Sequence, residues 1–159
     1  MKVNLASNIL KILLILFAVG VIFLGVYVLP IMAEQMVDLY PEIQYAKLPI
    51  LIVCQALLGL LLLGIGIILH LLLVFDRGKT FSQPFIRGLE ILSGMCILAS
   101  IVLIFLLQYL KNLGGPDPLT GLIMTGTISI ILIVASVIML IRSIVKKAII
   151  YKDDYDLTV

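Results

Sequence analysis

Four long apolar runs fill most of this chain, and they constrain its fold more than any other feature. The runs cover residues 12–32, 48–75, 91–110 and 119–141, and none of them contains Asp, Glu, Lys or Arg. An α-helix rises about 1.5 Å per residue, so a run of about 20 residues crosses a hydrocarbon core about 30 Å thick. The sequence therefore predicts an all-α, polytopic membrane protein with four spans.

Composition and connection lengths lead to the same architecture. The chain is 63% hydrophobic and only 13% charged, whereas a soluble domain is about 25% charged. Short connections favour antiparallel neighbours, which predicts an up-down-up-down four-helix transmembrane bundle. We expect a single membrane domain over 1–159, with spans at about 10–32, 48–75, 86–110 and 119–146 and a tail at 147–159.

The distribution of basic residues predicts the orientation. Nine of the 11 Lys and Arg residues lie before the first run, between the second and third, or after the fourth. Only Lys47 and Lys111 lie in the other two connections. Basic residues favour the cytoplasmic side, so we expect both termini and the middle connection in the cytoplasm. Segment 33–47 and the turn near 114–118 are then expected outside, and the first run is expected to be an uncleaved signal anchor.

Two polar side chains inside the runs, His70 and Gln55, stand out as intramembrane candidates. A titratable group in the membrane is costly and often functional, for example in proton relay. The alternative for His70 is a neutral imidazole bonded to a neighbouring helix, which we favour. No Asp, Glu, Lys or Arg lies in the middle of any run, and this absence of buried carboxylates counts against ion-coupled transport. Cys54 and Cys96 lie at depths about 12 Å apart by helical rise, too far for a disulfide, and are expected to pack as apolar residues.

Small residues recur at helical spacing. Gly121, Thr125 and Ser129 follow one another every four residues in the fourth run, and the third run contains Ser93 and Ser100. Small side chains let membrane helices approach closely, so we expect these positions to serve packing. A pore or groove lined by hydroxyl groups is the alternative.

The sequence carries no catalytic motif that we recognise. It has no serine nucleophile elbow, no His-Glu helix motif and no paired carboxylates in a run. Glu34, Asp38 and Glu42 recur about every four residues and would share a face on a helix. This spacing would suit weak cation binding, but we favour solvated charge. We therefore expect a non-enzymatic protein without a cofactor or a bound metal.

The end of the chain combines two charged segments of opposite sign. Arg142, Lys146 and Lys147 would continue the fourth helix past the membrane and attract anionic lipid headgroups. The charge then reverses in the acidic and aromatic segment 151–157. We expect this tail to project into the cytosol, where it either presents a recognition segment to a partner or is simply solvated.

The middle connection and the tail resemble a known family. The connection reads Phe75-Asp76-Arg77-Gly78-Lys79-Thr80-Phe81-Ser82, and the chain ends in Lys152-Asp153-Asp154-Tyr155-Asp156-Leu157-Thr158-Val159. With the four-span layout, these segments resemble the bacterial membrane family called domain of unknown function 2975. This chain has Asp153-Asp154-Tyr155 where a Glu-rich segment is more usual, and Gln83-Pro84 where Glu-Asn is common.

The resemblance implies a small multi-pass protein of the bacterial plasma (inner) membrane, without an established activity. Many members are encoded beside a very small helix-turn-helix regulator. We hypothesise that the cytoplasmic loop and acidic tail control such a DNA-binding protein, while the chain itself binds the lipid bilayer and no nucleic acid. The candidate partner-binding residues are Arg77, Lys79, Phe81, Asp153, Asp154, Tyr155, Asp156 and Leu157.

The alternative is a function within the spans, as a transporter subunit or an immunity protein against membrane-active peptides. It predicts that Gly121, Thr125 and Ser129 matter while the tail is dispensable. It also predicts a homo-oligomer, because four helices alone seldom enclose a wide path.

Overall fold

A computed structural model of the protein describes residues 2–76, 78, 82–114 and 118–156. Side chains are described for those of these residues that lie from 7 to 151. The described elements are helical. In chain order they are α1 (Lys2–Phe23), a π-helical segment (Leu24–Val28), α2 (Leu29–Leu39), a 3₁₀ turn (Pro41–Ala46), α3 (Lys47–Asp76), α4 (Gln83–Asn112) and α5 (Pro118–Asp156). Within these described ranges, four helical stretches are long and apolar enough to cross a membrane. The predicted all-α, four-helix transmembrane bundle is confirmed.

Consecutive spans pack side by side. The first span contacts α3, α3 contacts α4, and α4 packs most extensively against α5. Lys11 near the start of α1 contacts Asp76 at the end of α3, and Glu90 early in α4 contacts Arg142 late in α5. These pairs make neighbouring spans antiparallel, as predicted. We call the end of the bundle that carries Lys11, Asp76, Glu90 and Arg142 the terminal end, and the other the opposite end.

The first span is one helix interrupted by a wider turn. Proline lacks an N–H group, and inside an α-helix its ring clashes with the carbonyl four residues earlier, which for Pro30 belongs to Val26. Here the N–H of Leu29 bonds to the carbonyl of Leu24, the pattern of a π-helix. The wider turn lets Pro30 stand inside a helical stretch that continues to Leu39.

Segment 33–47, expected as an outer loop, is largely helical. Helix α2 continues to Leu39, and Tyr40 leaves the helical conformation with φ −133° and ψ 75°. The residue before a proline is disfavoured in the α conformation, so Pro41 accounts for the end of α2 at this position. The 3₁₀ turn then leads into α3.

Small residues shape the packing of α4, which lies between α3 and α5. A Cβ added to Gly88 would stand 2.6 Å from Cδ2 of Leu71, so the missing side chain lets α3 approach. Ser93 and Ser100 are buried in α4. Their hydroxyls donate to the carbonyls of Glu90 and Cys96, at 2.9 and 3.0 Å. The expected packing role of the serines in the third span is therefore met.

Candidate functional site

Among the described side chains, two ion pairs join the helices at the terminal end. The Lys11 ammonium donates a hydrogen bond to Oδ2 of Asp76 and links α1 to α3. The Arg142 guanidinium donates from Nη2 to Oε1 of Glu90 at 2.9 Å and links α5 to α4. Each outer span thus makes a charged contact with its inner neighbour at the same end of the bundle.

Asp76 directly follows the second uncharged run and lies outside it. The hydrogen bond from Lys11 is the main reason why the pKa of the Asp76 carboxyl lies below its ordinary value, and the Ser7 hydroxyl adds to the effect. Ser7 is buried, and its hydroxyl makes no regular hydrogen bond with the described residues. Asp76 is consequently ionised at neutral pH.

Helix α5 continues well beyond the apolar run that predicts the fourth span. Val145, past Arg142, is buried, while Lys146 and Lys147 are exposed. Because Arg142 pairs with Glu90 in an antiparallel neighbour, Ile149 lies level with Gln83, where α4 begins. The helix then extends past the start of α4 to Asp156. The basic segment at Lys146 and Lys147 therefore lies alongside the first turn of α4, and the acidic segment follows on the same helix past the start of α4.

The predicted partner-binding residues fall into two groups. Arg77, Lys79, Phe81 and Leu157 lie outside the described residues. Asp153, Asp154, Tyr155 and Asp156 belong to the last turns of α5, where the backbone alone is described. All eight flank the terminal end by chain position, and their grouping into one surface stays a prediction.

Gln55 has a defined partner inside the membrane. Its amide nitrogen donates to the carbonyl oxygen of Gly25 at 2.6 Å. In a regular α-helix this carbonyl would accept from Leu29, but the N–H of Leu29 bonds to Leu24 instead. The next backbone position is Pro30, which has no N–H. The side chain of α3 therefore supplies the donor that the first span lacks at the π-helical segment.

His70 lies on an open groove between α3 and α4 and shares it with Arg87. The imidazole is exposed and, among the described residues, it has no hydrogen-bond partner. The expected bond to a neighbouring helix is therefore absent from the described part of the chain. Glu90, the carboxylate three residues past Arg87 on α4, is engaged by Arg142.

The small residues of the fourth span lie differently from those of the third. Thr125 and Ser129 are exposed on α5, and Gly121 is half-buried. Their hydroxyls donate within α5, from Thr125 to the Gly121 carbonyl at 2.8 Å and from Ser129 to the Thr125 carbonyl at 3.0 Å. No described helix of this chain packs over Thr125 and Ser129, so the packing role expected for these two residues is absent from the described part of the chain.

The remaining candidates form no site within the described chain. Cys54 and Cys96 are free and half-buried. Glu34, Asp38 and Glu42 are exposed, the first two on α2 and the third in the 3₁₀ turn. In the ranges that the structure describes, no three His, Cys, Asp or Glu side chains cluster as metal ligands.

Comparison with known proteins adds the family. The family described as "Protein of unknown function (DUF2975)" matches residues 31–159, from within the last part of the first span to Val159. The chain belongs to this family. It is also similar to the "Uncharacterized membrane protein YoaS" of Bacillus subtilis (strain 168), with 24% identity over 158 residues that cover 98% of this chain and 99% of the relative. No solved structure matches the chain.

The family resemblance inferred from the middle connection and the tail is thereby confirmed. The matched range includes α3, α4 and α5 together with both segments that carried the resemblance. The relative, which is itself named a membrane protein, covers the whole four-span layout. The protein is therefore a four-helix membrane protein of the DUF2975 family.

Proposed function

We propose that this protein is a non-enzymatic regulatory protein located in the bacterial plasma membrane. Its terminal end binds a small helix-turn-helix DNA-binding protein and holds it at the membrane. The observation that carries the proposal is the length of α5, which runs from Pro118 to Asp156 as one helix. At about 1.5 Å per residue such a helix is far longer than the hydrocarbon core is thick. Its last turns extend past the bundle into water.

The orientation in this proposal follows from charge. Nine of the 11 basic residues belong to the terminal end by chain position, and basic residues favour the cytoplasmic side. Both termini and the connection between α3 and α4 then face the cytosol. A DNA-binding protein is available only on that side.

The chemistry of the tail suits a basic partner. Asp153, Asp154 and Asp156 follow the basic segment at Lys146 and Lys147 on the same helix. The basic segment stays near anionic lipid headgroups, while the acidic turns are repelled from them. Carboxylates held away from the surface compete with DNA phosphates for the basic face of a regulator. Binding to the tail and binding to DNA then exclude each other.

The spans offer less support for the alternative of a transporter subunit or immunity protein. The hydroxyls of Thr125 and Ser129 already donate to carbonyls of their own helix. They lie on the exposed face of α5 rather than between two helices of the chain. The acidic end of α5 is therefore the better candidate for function.

Co-purification tests the proposal directly. The full-length protein is extracted from its own host in mild detergent, and a helix-turn-helix protein encoded beside it is sought by mass spectrometry. We expect capture by the wild type and loss of capture when Asp153, Asp154 and Asp156 are changed together to Asn. The matched control changes Glu34 to Gln, Asp38 to Asn and Glu42 to Gln, which removes the same charge at the opposite end.

The control variant is expected to capture the regulator as the wild type does, because its three carboxylates lie on α2 and the 3₁₀ turn. Equal capture by both triple variants would contradict binding through the acidic tail. Failure of the wild type to capture any such protein, in growing and in stressed cells, would contradict the proposed partner.

A further inference from the structure

An open groove lies between α3 and α4 in the half of the bundle nearest the terminal end. Its volume is about 560 Å³, and Leu63, Gly66 and Ile67 form its α3 side. The α4 side includes Gly88 and Ile91, one and four residues past Arg87. The walls are apolar, and the groove opens toward the space that acyl chains occupy in a membrane.

Two glycines explain why the groove exists. Gly66 has no heavy atom within 4 Å of the position that a Cβ would take, so this part of α3 leaves open space beside it. At Gly88, in contrast, Leu71 fills the space of the missing side chain. The two helices therefore meet at the Leu71–Gly88 contact, and the groove runs beside this contact along the exposed face.

One end of the groove is polar. His70 from α3 and Arg87 from α4 both line it, and both are exposed. Gly88 contacts Leu71, so its neighbour Arg87 lies level with a turn of α3 that is still inside the second uncharged run. A cation at such a depth is costly unless it meets an anion or reaches the headgroups.

Arg87 has no acidic partner among the described side chains. The two described carboxylates of the terminal end are already engaged, Asp76 by Lys11 and Glu90 by Arg142. The guanidinium of Arg87 is thus left beside an apolar groove with its charge uncompensated by the described chain. A ligand with an anionic head and an apolar tail would match both parts of the site.

We propose that this groove binds one anionic phospholipid from the surrounding leaflet. The phosphate accepts hydrogen bonds from the Arg87 guanidinium, which is suited to bidentate binding of phosphate oxygens, and His70 contributes a second polar contact. An acyl chain lies along Gly66, Ile67 and Leu63. Basic positions between transmembrane helices are known sites for such headgroups. This binding is independent of the proposed regulator.

Native mass spectrometry of the full-length protein tests the site. The detergent-solubilised protein is mixed with equal amounts of phosphatidylglycerol and phosphatidylcholine, and the detergent is removed in the gas phase. The fraction of protein ions that retain one lipid of each kind is then measured. We expect the wild type to retain phosphatidylglycerol in preference to phosphatidylcholine. Arg87→Gln is expected to lower phosphatidylglycerol retention about tenfold, the effect of losing a charge-assisted hydrogen bond.

Matched variants separate the charge from the groove. Lys111→Gln removes one exposed positive charge at the opposite end and is expected to leave retention unchanged. Gly66→Leu fills the groove and is expected to lower phosphatidylglycerol retention. Gly94→Leu adds the same side chain at an exposed glycine outside the groove and is expected to leave retention unchanged. Circular dichroism of each variant verifies that the helices are intact.

Three outcomes would overturn the proposal. Equal retention by Arg87→Gln and Lys111→Gln would show that the Arg87 charge binds no headgroup. A wild type without preference for phosphatidylglycerol would show ordinary boundary lipid. Displacement of the retained lipid by inorganic phosphate alone would show that the site recognises free phosphate and not a phospholipid.

Discussion

The side-chain amide of Gln55 donates a hydrogen bond of 2.6 Å to the backbone carbonyl of Gly25, across the contact between α3 and the first span. That carbonyl has lost its regular donor, because the N–H of Leu29 bonds to Leu24 and Pro30 has no N–H. Water cannot replace the missing donor in the hydrocarbon core. Gln55 thus fixes the first span against α3 at the turn where the helix is irregular.

Replacing Gln55 by Leu is expected to destabilise the bundle. The change leaves the Gly25 carbonyl without the side-chain donor, and hydrogen bonds between membrane helices contribute about 0.6 kcal/mol on average and up to about 1.7 kcal/mol. We expect a decrease of that size in the free energy of unfolding. Unfolding by SDS in mixed micelles, followed by circular dichroism, measures it.

Two variants make this prediction specific. Gln108→Leu replaces an exposed glutamine of α4 and is expected to have little effect. Pro30→Ala restores a backbone N–H next to the irregular turn, so the cost of Gln55→Leu should decrease in that background. An equal cost of Gln55→Leu with and without Pro30 would contradict the link between the two residues.

Two glycines of α4 are expected to respond differently to the same substitution. Gly88→Ala would place a Cβ 2.6 Å from Cδ2 of the buried Leu71, while Gly94→Ala meets nothing within 4 Å. Overpacking costs about 1–3 kcal/mol, so Gly88→Ala should lower the free energy of unfolding by about that amount. Gly94→Ala should leave it unchanged or raise it slightly.

The Leu71→Ala background provides the internal check, because a smaller side chain leaves room for a Cβ at position 88. Gly88→Ala should then cost less than it does in the wild type. A full cost in both backgrounds would show that Leu71 is not the contact that limits α3 and α4.

The ion pair between Lys11 and Asp76 predicts a pH dependence. The pKa of Asp76 lies below its ordinary value because Lys11 donates to the carboxylate. A carboxyl with a lowered folded-state pKa stabilises the fold above its unfolded-state pKa, about 3.9. The stabilisation is lost as the pH falls through the lower, folded-state value. The melting temperature of Asp76→Asn should therefore lie below that of the wild type by a constant amount from pH 7 to pH 5.

That difference should vanish on further acidification, and Asp38→Asn, at an exposed position of α2, should follow the wild type throughout. Melting curves of the purified protein in a non-ionic detergent measure the effect at each pH. A difference that grows as the pH falls from 7 to 5 would contradict the ionised state assigned to Asp76.

The contact between Arg142 and Glu90 is expected to show a measurable coupling. Both side chains are partly exposed, and exposed ion pairs contribute about 0.2–1 kcal/mol. A double-mutant cycle with Arg142→Gln and Glu90→Gln should yield a coupling in this range. The cycle that pairs Glu90→Gln with Lys146→Gln should yield none, since the ion pair of Glu90 in the structure is with Arg142. Equal coupling in the two cycles would indicate a diffuse field instead of a defined pair.

The spans, their antiparallel order and the family could all be predicted from the sequence. Uncharged runs long enough to cross a bilayer leave few alternatives to membrane helices, and short connections make consecutive helices neighbours. The family could be inferred from the segments around Gly78 and Asp154 together with the four-span layout. Local pattern was sufficient for these features because each depends on residues that are close together in the chain.

The partner of Gln55 could not be predicted in the same way. A polar residue in a span, such as Gln55, is expected to have a hydrogen-bond partner. Its acceptor, however, is the Gly25 backbone carbonyl, which lacks its regular donor because of the π-helical turn. The signal that points there is Pro30, whose missing N–H is visible in the sequence. The groove beside His70 depends on the register between α3 and α4, which is set by the Leu71–Gly88 contact. This register cannot be predicted from a local sequence pattern.

Deletion of residues 152–159 tests the proposed function most directly. The shortened protein is expressed from its own chromosomal position, its insertion is verified in isolated membranes, and transcripts are compared genome-wide with those of the parent strain. We expect a narrow change centred on the protein's own locus, because a regulator no longer held by the tail acts on its operators. An unchanged transcriptome, with complete gene deletion still sensitising cells to membrane-active peptides, would contradict the account and assign the function to the spans.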